Sequence, residues 1–440
     1  MSRVWILAFL LFPLLAPQAA TETVTLTLQD AVQRALDQSL DLKKSTVDLA
    51  QTEYSARRLW SEIFPGFSLS AGLTFLPSTP LITDPGFSYK NDNLAYSLNF
   101  GLSLSLNPSL RSSMSRIELA YRSQLLSYED ACRQLEIQVI KKFLNLTTMS
   151  ENLFNLAERV ELTENKLRGD RIARQNGLLS ELGWLNSQLH AETAKYNLSD
   201  AQGAYRNALD EFLAILGMEA GTDIAFQGTI EIAPVSYDPE QLILEYLPKR
   251  PDIIKQRQTI ERLELTKNIT TLNSRSPTLE LSSQWRGSPE TGGGLGAPFT
   301  DNVSGSLTLR IPVDSWIPGT RQEQTIRAAN AEAEKARLDL QNTETSAKTQ
   351  IRSLCSNLNN TWENLSIAKM RVNIAERTVE ATEIGFRNGL LNSQELEDRR
   401  NDLSDARQRL LQGELSYQSL LLDLASALNV EWKTLIGGWS

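Results

Sequence analysis

Two carboxylates, Glu395 and Asp398, stand three residues apart in a polar stretch that shortly follows an Asn-Gly pair. Residues at this spacing share one face of a helix, so the two acids could act together in general acid–base chemistry. The alternative is a pair of ordinary solvated acids near a helix N-terminus, where the helix dipole favours negative charge. Because carboxylates on helices are usually solvated, the pair alone does not indicate an enzyme.

The sequence offers few other groups for catalysis. It contains neither Gly-x-Ser-x-Gly nor His-Glu-x-x-His, and His190 is its only histidine. One histidine cannot supply a His-based metal site and makes most general-base schemes difficult. We therefore expect no catalytic site, no metal and no cofactor, and an envelope hydrolase remains only as a third hypothesis.

The segment that holds the acid pair occurs twice in the chain. Residues 174–218 and 386–430 both contain Asn-Gly-Leu-Leu, at 176–179 and 388–391, which sets an offset of 212 residues. The same offset relates further pairs of identical residues: Leu198 and Leu410, Tyr205 and Tyr417, and Pro65 and Pro277. An offset that holds over this length predicts a duplicated structural unit of about half the chain.

Each copy carries a heptad pattern on the element that must position the acids. In the first copy, apolar residues recur every seven positions, at Trp184, Ala191, Leu198, Tyr205 and Phe212. This spacing is typical of a coiled-coil seam, and mostly small residues three positions further on allow a close neighbouring helix. The Asn-Gly before each seam predicts a tight turn, because glycine adopts positive φ without strain.

Long helices lead into these turns. Heptads predict them over about 110–172 and 321–384, and sixty helical residues extend roughly 90 Å. A shorter first helix is predicted over about 28–62, starting at a capping-box-like Thr27 and ending before Pro65. The duplicated unit is therefore expected to be mainly α-helical.

Between the helices the apolar period changes from seven to two. The alternation predicts four strands, at about 67–76, 94–106, 278–286 and 302–313. Their length and single apolar face are typical of a transmembrane β-barrel, whereas a soluble sandwich would not be split by long helices. Polar loops at 77–93 and 287–302 are expected on the outer surface, and a short strand is expected at 229–233.

Composition and the N-terminus indicate an exported protein. Residues 1–20 resemble a secretory signal peptide, with Arg3 before an apolar run and cleavage near Ala20. The net charge of −9 comes from interspersed acids and bases, which disfavours a nucleic-acid partner. Cys132 lies in a heptad seam and is expected to be a small buried hydrophobe, while a disulfide with Cys355 is an alternative that the spacing does not support.

The predicted boundaries follow from the repeat. A first repeat over 21–218 and a second over 239–430 are joined by a linker at 219–238 and followed by a tail at 431–440. Each repeat is a helix, a β-hairpin, a long helix, a turn and a return helix. Four strands cannot close even the smallest membrane barrel, of about eight strands, so the chain is expected to oligomerise.

This set of features resembles the TolC-type outer membrane efflux proteins over essentially the whole mature chain. The family motif, an aromatic residue three positions before a glycine turn, corresponds to Phe386-Arg-Asn-Gly389 and, less faithfully, to residues 174–177. A final Leu-Gly is kept at Leu216-Gly217 and is Leu428-Asn429 in the second copy. Pro65 and Pro277 match the proline at the first helix-to-strand junction.

The resemblance implies a homotrimer that extends from the outer membrane of a Gram-negative bacterium into the periplasm. Three chains would form a 12-stranded β-barrel among outer membrane lipids and a trimeric α-barrel below it. The protein would be the exit duct of a tripartite export system, with a periplasmic adaptor protein and an inner-membrane transporter as partners. A periplasmic coiled-coil adaptor or structural envelope protein is the alternative, and the sequence does not name the cargo.

The resemblance also assigns roles to residues near the two turns. Glu395 and Asp398, six and nine positions past Gly389, would line the periplasmic gate. The tips that contact the adaptor would be the two turns: Gly177, Leu178, Leu179, Gly389, Leu390 and Leu391. Gly183 and Leu391 depart from acidic and arginine residues found in the family, so the closing latch would instead use Arg387, Arg399 or Arg400.

Overall fold

The structure is a computed structural model that describes residues 24–75, 80–83, 86–89, 94–227, 233–235, 237–289 and 298–435. The predicted signal peptide, most of the strand expected at 229–233 and parts of the two outer loops lie outside the described residues. What is described is mainly helical, as the heptads predict. Among the described residues, no helix combines the length and the apolarity that crossing a bilayer requires.

The helices follow the repeat. In the first half they are α1 Leu28–Gln38, α2 Leu40–Arg57, α3 Leu110–Gln175 and α4 Glu181–Ile215. In the second half they are α5 Pro239–Tyr246, α6 Pro251–Arg275, α7 Arg321–Arg387, α8 Ser393–Leu428 and a short α9 Trp432–Leu435. Short 3-10 helices lie at Leu59–Glu62, Leu247–Lys249 and Asp314–Trp316. The two long helices, α3 and α7, have 66 and 67 residues.

The first helix differs from its prediction, because it is broken at Ser39 and ends at Arg57. Ser39 has φ −55° and ψ 122°, outside the helical region, and its N–H donates to the Ala35 carbonyl at 2.9 Å. The second half breaks at the equivalent place, where Arg250 is extended before Pro251, and proline disfavours a helical residue ahead of it. At the 212-residue offset Pro251 corresponds to Ser39, which is not a proline. The break in the first half could therefore have been predicted only by comparison with the second half.

Four antiparallel strands form one sheet in the order β2-β5-β7-β8, with β2 Gly66–Phe75, β5 Leu94–Leu106, β7 Thr278–Pro289 and β8 Phe299–Arg310. The register pairs Leu69 with Phe100 and Phe100 with Trp285, so apolar residues of neighbouring strands share one face. That face is exposed in the single chain, Leu69 at 76% and Leu307 at 68%. Serine and glycine dominate the opposite face.

Two smaller pairings were not predicted from the sequence. Strands β3 Pro80–Thr83 and β4 Gly86–Tyr89 form an antiparallel hairpin within the segment expected to be an outer loop. Strands β1 Val24–Thr27 and β6 Ile224–Gln227 pair in parallel, although 196 residues lie between them. Strands of four residues are too short to show a recognisable alternation of apolar and polar residues. The pairing of β1 with β6 depends in addition on a contact between segments that are far apart in the sequence.

The chain divides into two compact units, and each draws on both repeats. One comprises residues 1–39, 135–233 and 361–419, and the other comprises 40–134, 234–360 and 420–440. In the first unit β1, β6, α3 and α4 enclose a core that includes Val139, Phe143, Phe212 and Leu213.

The core of the second unit includes Ile243, Ile351, Leu424 and Cys355, which is 3% exposed. Both cysteines are free, Cys132 half-buried and Cys355 buried. Burial raises the pKa of the Cys355 thiol, which keeps the thiol neutral. Cys355 is therefore a small buried hydrophobe, whereas Cys132, for which burial was expected, is only half-buried, and neither cysteine forms a disulfide.

Candidate functional site

The turn between α3 and α4 is a Schellman motif. The N–H of Gly177 donates to the Arg174 carbonyl at 3.0 Å, and the N–H of Leu178 donates to the Ala173 carbonyl at 2.8 Å. These two bonds satisfy carbonyls at the helix end and require a left-handed residue between them. Gly177 has φ +71°, and no atom would crowd a Cβ there, so backbone strain alone favours glycine.

The turn between α7 and α8 repeats this geometry. The N–H of Gly389 donates to the Phe386 carbonyl at 3.0 Å, and the N–H of Leu390 donates to the Gly385 carbonyl at 2.9 Å. Gly389 also has φ +71°. The two Asn-Gly sequences therefore make the same turn, as the shared motif predicts.

The predicted tip leucines divide into two kinds. Leu178 and Leu390 are 80% and 79% exposed, so each turn presents one apolar side chain to solvent. Leu391 folds back over Gly385, where an added Cβ would lie 2.7 Å from the leucine Cδ1. Leu179 folds forward over Gly183 in the same way, at 2.8 Å. Gly183, which departs from the family's acid, therefore makes room for a leucine of its own turn.

The predicted gate acid Glu395 closes a reciprocal cap at the start of α8. Its N–H donates to Asn392 Oδ1 at 2.8 Å, and the Asn392 N–H donates to Glu395 Oε2 at 3.4 Å. This is a capping box, which satisfies two backbone donors that the helix would otherwise leave open. The equivalent cap in the first copy is one-sided, with Ser180 Oγ accepting from the Gly183 N–H at 3.2 Å.

The second gate acid, Asp398, lies one turn further along the same helix. Its Oδ1 accepts a hydrogen bond from Gln394 Nε2 at 3.0 Å, and the side chains of both acids are exposed. Within the described part of the chain, neither carboxylate makes an ion pair with a basic side chain. The structure thus places the two acids on one end of α8, and both remain available to solvent.

The predicted latch arginines bind acids of their own hairpin. Arg387 contacts Glu383 at 2.8 Å within α7, and Arg399 contacts Asp402 at 3.0 Å within α8. Arg400 crosses from α8 towards Glu383 at 4.0 Å. The hydrogen bond and charge of Arg387, and to a smaller extent the charge of Arg400, lower the pKa of the Glu383 carboxyl. None of these three ion pairs joins the α7–α8 hairpin to the α3–α4 hairpin.

Arg407, which was not predicted as a functional residue, does join the two hairpins. From α8 its Nη2 contacts Glu376 of α7 at 3.1 Å and its Nη1 contacts Glu158 of α3 at 3.7 Å. The repeat could have indicated the first contact. Its counterparts at the 212-residue offset are Lys195 and Glu164, which are 3.2 Å apart.

The sequence also contains no indication of a buried carboxylate close to the predicted gate acids. Glu397 of α8 is 6% exposed and lines two adjoining cavities of about 240 and 460 Å³ between α3 and the second hairpin. Glu383 and Arg400 line the same two cavities. Its repeat counterpart, Leu185, is half exposed, so sequence comparison of the copies would not have indicated burial.

Nothing in the described residues fits a metal centre, because no group of three or more His, Cys, Asp or Glu side chains converges on one point. What the arrangement offers is two matching helical turns, exposed leucines and a set of acids on one helix end.

Known proteins show the same architecture. Residues 31–218 and 244–430 match a family described as Outer membrane efflux protein. No curated protein sequence matches the chain significantly. The two matched ranges cover both halves of the repeat, so the likeness concerns nearly the whole of the described chain.

Three solved structures illustrate the likeness in fold. The CmeC outer membrane channel of Campylobacter jejuni has a TM-score of 0.73 and 18% identity, over 91% of this chain and 85% of that one. The outer membrane protein VceC of Vibrio cholerae has a TM-score of 0.70 and 16% identity, over 92% and 96%. The open state of the MtrE channel of Neisseria gonorrhoeae has a TM-score of 0.71 and 15% identity, over 92% and 89%.

Proposed function

We propose that this chain, which belongs to the outer membrane efflux protein family, builds its export duct from three copies and closes it at the two helical turns. The family match confirms the resemblance noted in the sequence. It also confirms the expected outer membrane location and the expectation that the protein is an efflux channel and not an enzyme. The main support for a trimer is the four-stranded sheet. Among the described residues its outer strands, β2 and β8, each have one unpaired edge.

Open edges support the assembly because unpaired backbone groups are very costly in lipid. Joining β8 of one copy to β2 of the next would pair these groups, and three copies would supply twelve strands. The exposed apolar face, with Leu69, Leu73 and Val303 about 70% exposed or more, suits the lipid-facing side of such a barrel. The small polar side chains of the opposite face would line the lumen.

The periplasmic gate is proposed at Glu395 and Asp398. A threefold axis through the duct would gather six of these carboxylates into one ring, and rings of acids favour cations. The capping box supports this role, because it fixes the Glu395 side chain at the helix start. Arg387, Arg399 and Arg400 would then order α7 and α8 around the ring rather than latch one hairpin to the other.

The tips are proposed as the contact with a periplasmic adaptor, which would link the duct to an inner-membrane transporter. Two identical turns per chain would give six similar tips per trimer. Each would offer an exposed leucine, Leu178 or Leu390, and the six leucines gathered at one end of the trimer would give a partner a set of apolar contacts. Drugs, metals and proteins all remain open as cargo.

The trimer is tested by the mass of the detergent-purified protein in solution, corrected for bound detergent. A mass of three chains is expected, and it should persist on dilution because the strand pairing is continuous. The matched control is a variant with Leu307→Pro on the outer strand β8. Proline cannot donate a backbone hydrogen bond and disrupts strand pairing, so this variant should lose trimer. A stable folded monomer of the unaltered chain would contradict the assembly.

A further inference from the structure

The polar face of the four-stranded sheet carries few charged side chains. On β2 and β5 it presents small, uncharged residues, such as Ser68 and its partner Gly101. Alternation along β7 and β8 places ionisable side chains on the same face, and among the described residues of that face these are Glu280, Arg286 and Arg310. Their positions decide where the face is charged.

Two of these three charges compensate each other near the helix-side end of the sheet. Arg310 Nη2 lies 3.7 Å from Glu280 Oε2, across the paired strands β7 and β8. Both side chains are well exposed, so this ion pair contributes little to stability. It does leave this end of the polar face without net charge.

Arg286 lies at a different level of the face. It stands six residues beyond Glu280 on β7, about 20 Å away along the strand. Charges in water at about 0.1 M salt are screened over roughly 10 Å, so Glu280 does not neutralise Arg286. The residues paired with Arg286 are the uncharged Asn99 of β5 and Asn302 of β8. Among the described residues of the face, the positive charge of Arg286 is therefore uncompensated.

One hydrogen bond orients the Arg286 side chain. Its Nε donates to Asn99 Oδ1 at 3.0 Å, which ties the side chain to the neighbouring strand. A guanidinium has five N–H donors in a planar fork, and this bond uses one of them. The donors on the two Nη atoms have no acceptor within the part of the chain that the structure describes, and the residue is exposed. The fork is thus held in place with most of its donors open to a ligand.

The chemistry of this fork favours oxyanions. Two parallel Nη donors match the paired oxygens of a carboxylate, a sulfonate or a phosphate, and the positive charge strengthens both bonds. The neighbouring side chains leave room for such a group, because Ser70 is paired with Asn99 and Gly101 follows Asn99 on the same face. An oxyanion can therefore approach Arg286 from the open side of the sheet.

We propose that the Arg286 side chains of three copies form an anion-binding ring inside the barrel, which contacts carboxylate, sulfonate or phosphate groups of passing solutes. This rests on the proposed function, because the ring exists only if three sheets close with the polar face inward. Rings of basic side chains favour anions in pores. The bound group belongs to a solute and not to a lipid headgroup, because lipid meets the opposite, apolar face. The ring binds anions within the barrel, whereas the proposed gate acids on α8 govern passage.

The test measures the block of single-channel current by a soluble polyvalent anion. The purified trimer is inserted in a planar bilayer of phosphatidylcholine, which has no net charge, and sodium tripolyphosphate is added on the outer side. Arg286→Gln removes the proposed site, while Arg286→Lys keeps the charge without the fork. Arg310→Gln is the matched control, because it removes the same charge from the same face, roughly 26 Å along β8 from the level of Arg286. The mass of each variant in detergent shows whether it still forms the trimer.

The unaltered channel should be blocked by tripolyphosphate. Arg286→Gln should need about tenfold more of the anion for half block, since a hydrogen bond to a charged group contributes about this factor. Arg286→Lys should lie between the two, and Arg310→Gln should stay close to the unaltered channel. The block should weaken at high salt, because salt screens the charge of the ring.

A conducting channel that tripolyphosphate does not block, or whose block is unchanged in Arg286→Gln, would have no anion site at Arg286. Equal weakening of the block in Arg286→Gln and Arg310→Gln would attribute it to the overall charge of the lumen. These results overturn the ring and leave the duct in place. A folded, inserted protein that passes no current would contradict the duct itself, and the ring with it.

Discussion

The guanidinium of Arg407 on α8 lies 3.7 Å from the carboxylate of Glu158 on α3, so one side chain connects the second helical hairpin to the first. The same arginine holds Glu376 of α7 at 3.1 Å. Its repeat counterpart, Lys195, has no such double role, since it contacts Glu164 of α3 and Glu192 of its own helix. The repeat thus places one basic side chain between the two helices of each hairpin, Lys195 in the first and Arg407 in the second. Of these two side chains, only Arg407 also contacts the other hairpin.

Arg407→Ala is therefore expected to loosen the first hairpin from the second near Glu158. The group is partly exposed, so the loss in unfolding free energy should be no more than about 1 kcal/mol. Faster amide hydrogen exchange in both α3 and α7 would report the change. Lys195→Ala is the matched control and should affect α3 and α4 only. Equal exchange in α7 for both variants would contradict a link through Arg407.

The two faces of the sheet should tolerate a charge very differently. Leu102 belongs to the apolar face, opposite Phe67, so Leu102→Arg should be destabilising, with about 2–4 kcal/mol as the cost of an arginine at the bilayer midplane. Ser103→Arg, one residue further on, points to the polar face and should be much milder. The yield of folded, heat-modifiable protein in outer membranes measures both. If both variants lost folded protein equally, the assigned faces would be wrong.

Glu414 gives the folded chain a pH dependence of its own. Burial raises the pKa of this carboxyl, Lys369 opposes the shift, and the neighbouring Glu151 adds to it. A raised folded pKa favours the protonated form, so the folded state loses stability as pH rises through that pKa. Glu414→Gln should therefore be more stable than the unaltered chain at neutral pH.

This advantage of Glu414→Gln should vanish in acid, where the unaltered carboxyl is protonated as well. Thermal unfolding across a pH series measures it, with Glu380→Gln on the exposed surface of α7 as the control. A variant that was less stable than the unaltered chain at neutral pH would mean that the contact with Lys369 outweighs the burial of Glu414.

Repeating local patterns made most of the architecture predictable. The seven-residue spacing marked α3 and α7, and the two-residue alternation marked the region of β5, because each pattern reports one buried face along its whole length. The Asn-Gly pairs predicted both turns, because each turn needs one residue with positive φ and glycine adopts that conformation without strain. The acids on one face at the start of α8 followed from spacing alone.

What the sequence did not indicate depends on contacts between distant segments. The pairing of β1 with β6 joins residues near Leu26 and Phe226, and neither strand is long enough to show a period. Glu397 looks like its exposed neighbours Glu395 and Asp398, yet it lies against α3 and is buried. A carboxylate's burial is set by the helix packed against it, which single-sequence patterns do not reveal.

If Glu395 and Asp398 form the proposed gate, their charges should decide ion selectivity. Glu395→Gln with Asp398→Asn removes two charges per chain, while glutamine can still complete the capping box. In planar bilayers the preference for cations, and block by divalent cations from the periplasmic side, should both weaken. Glu181→Gln, at the other turn beside Arg174, is the control and should change neither. Selectivity and block that survived the double change would remove these acids from the pore.

The most direct test of the duct itself is the conductance of the purified, unaltered protein in a planar bilayer. Single trimers should give discrete, uniform current steps, with cations carrying most of the current. Protein shown to be folded and inserted, yet passing no current under any applied voltage or after the Glu395 and Asp398 charges are removed, would contradict a continuous channel through the trimer.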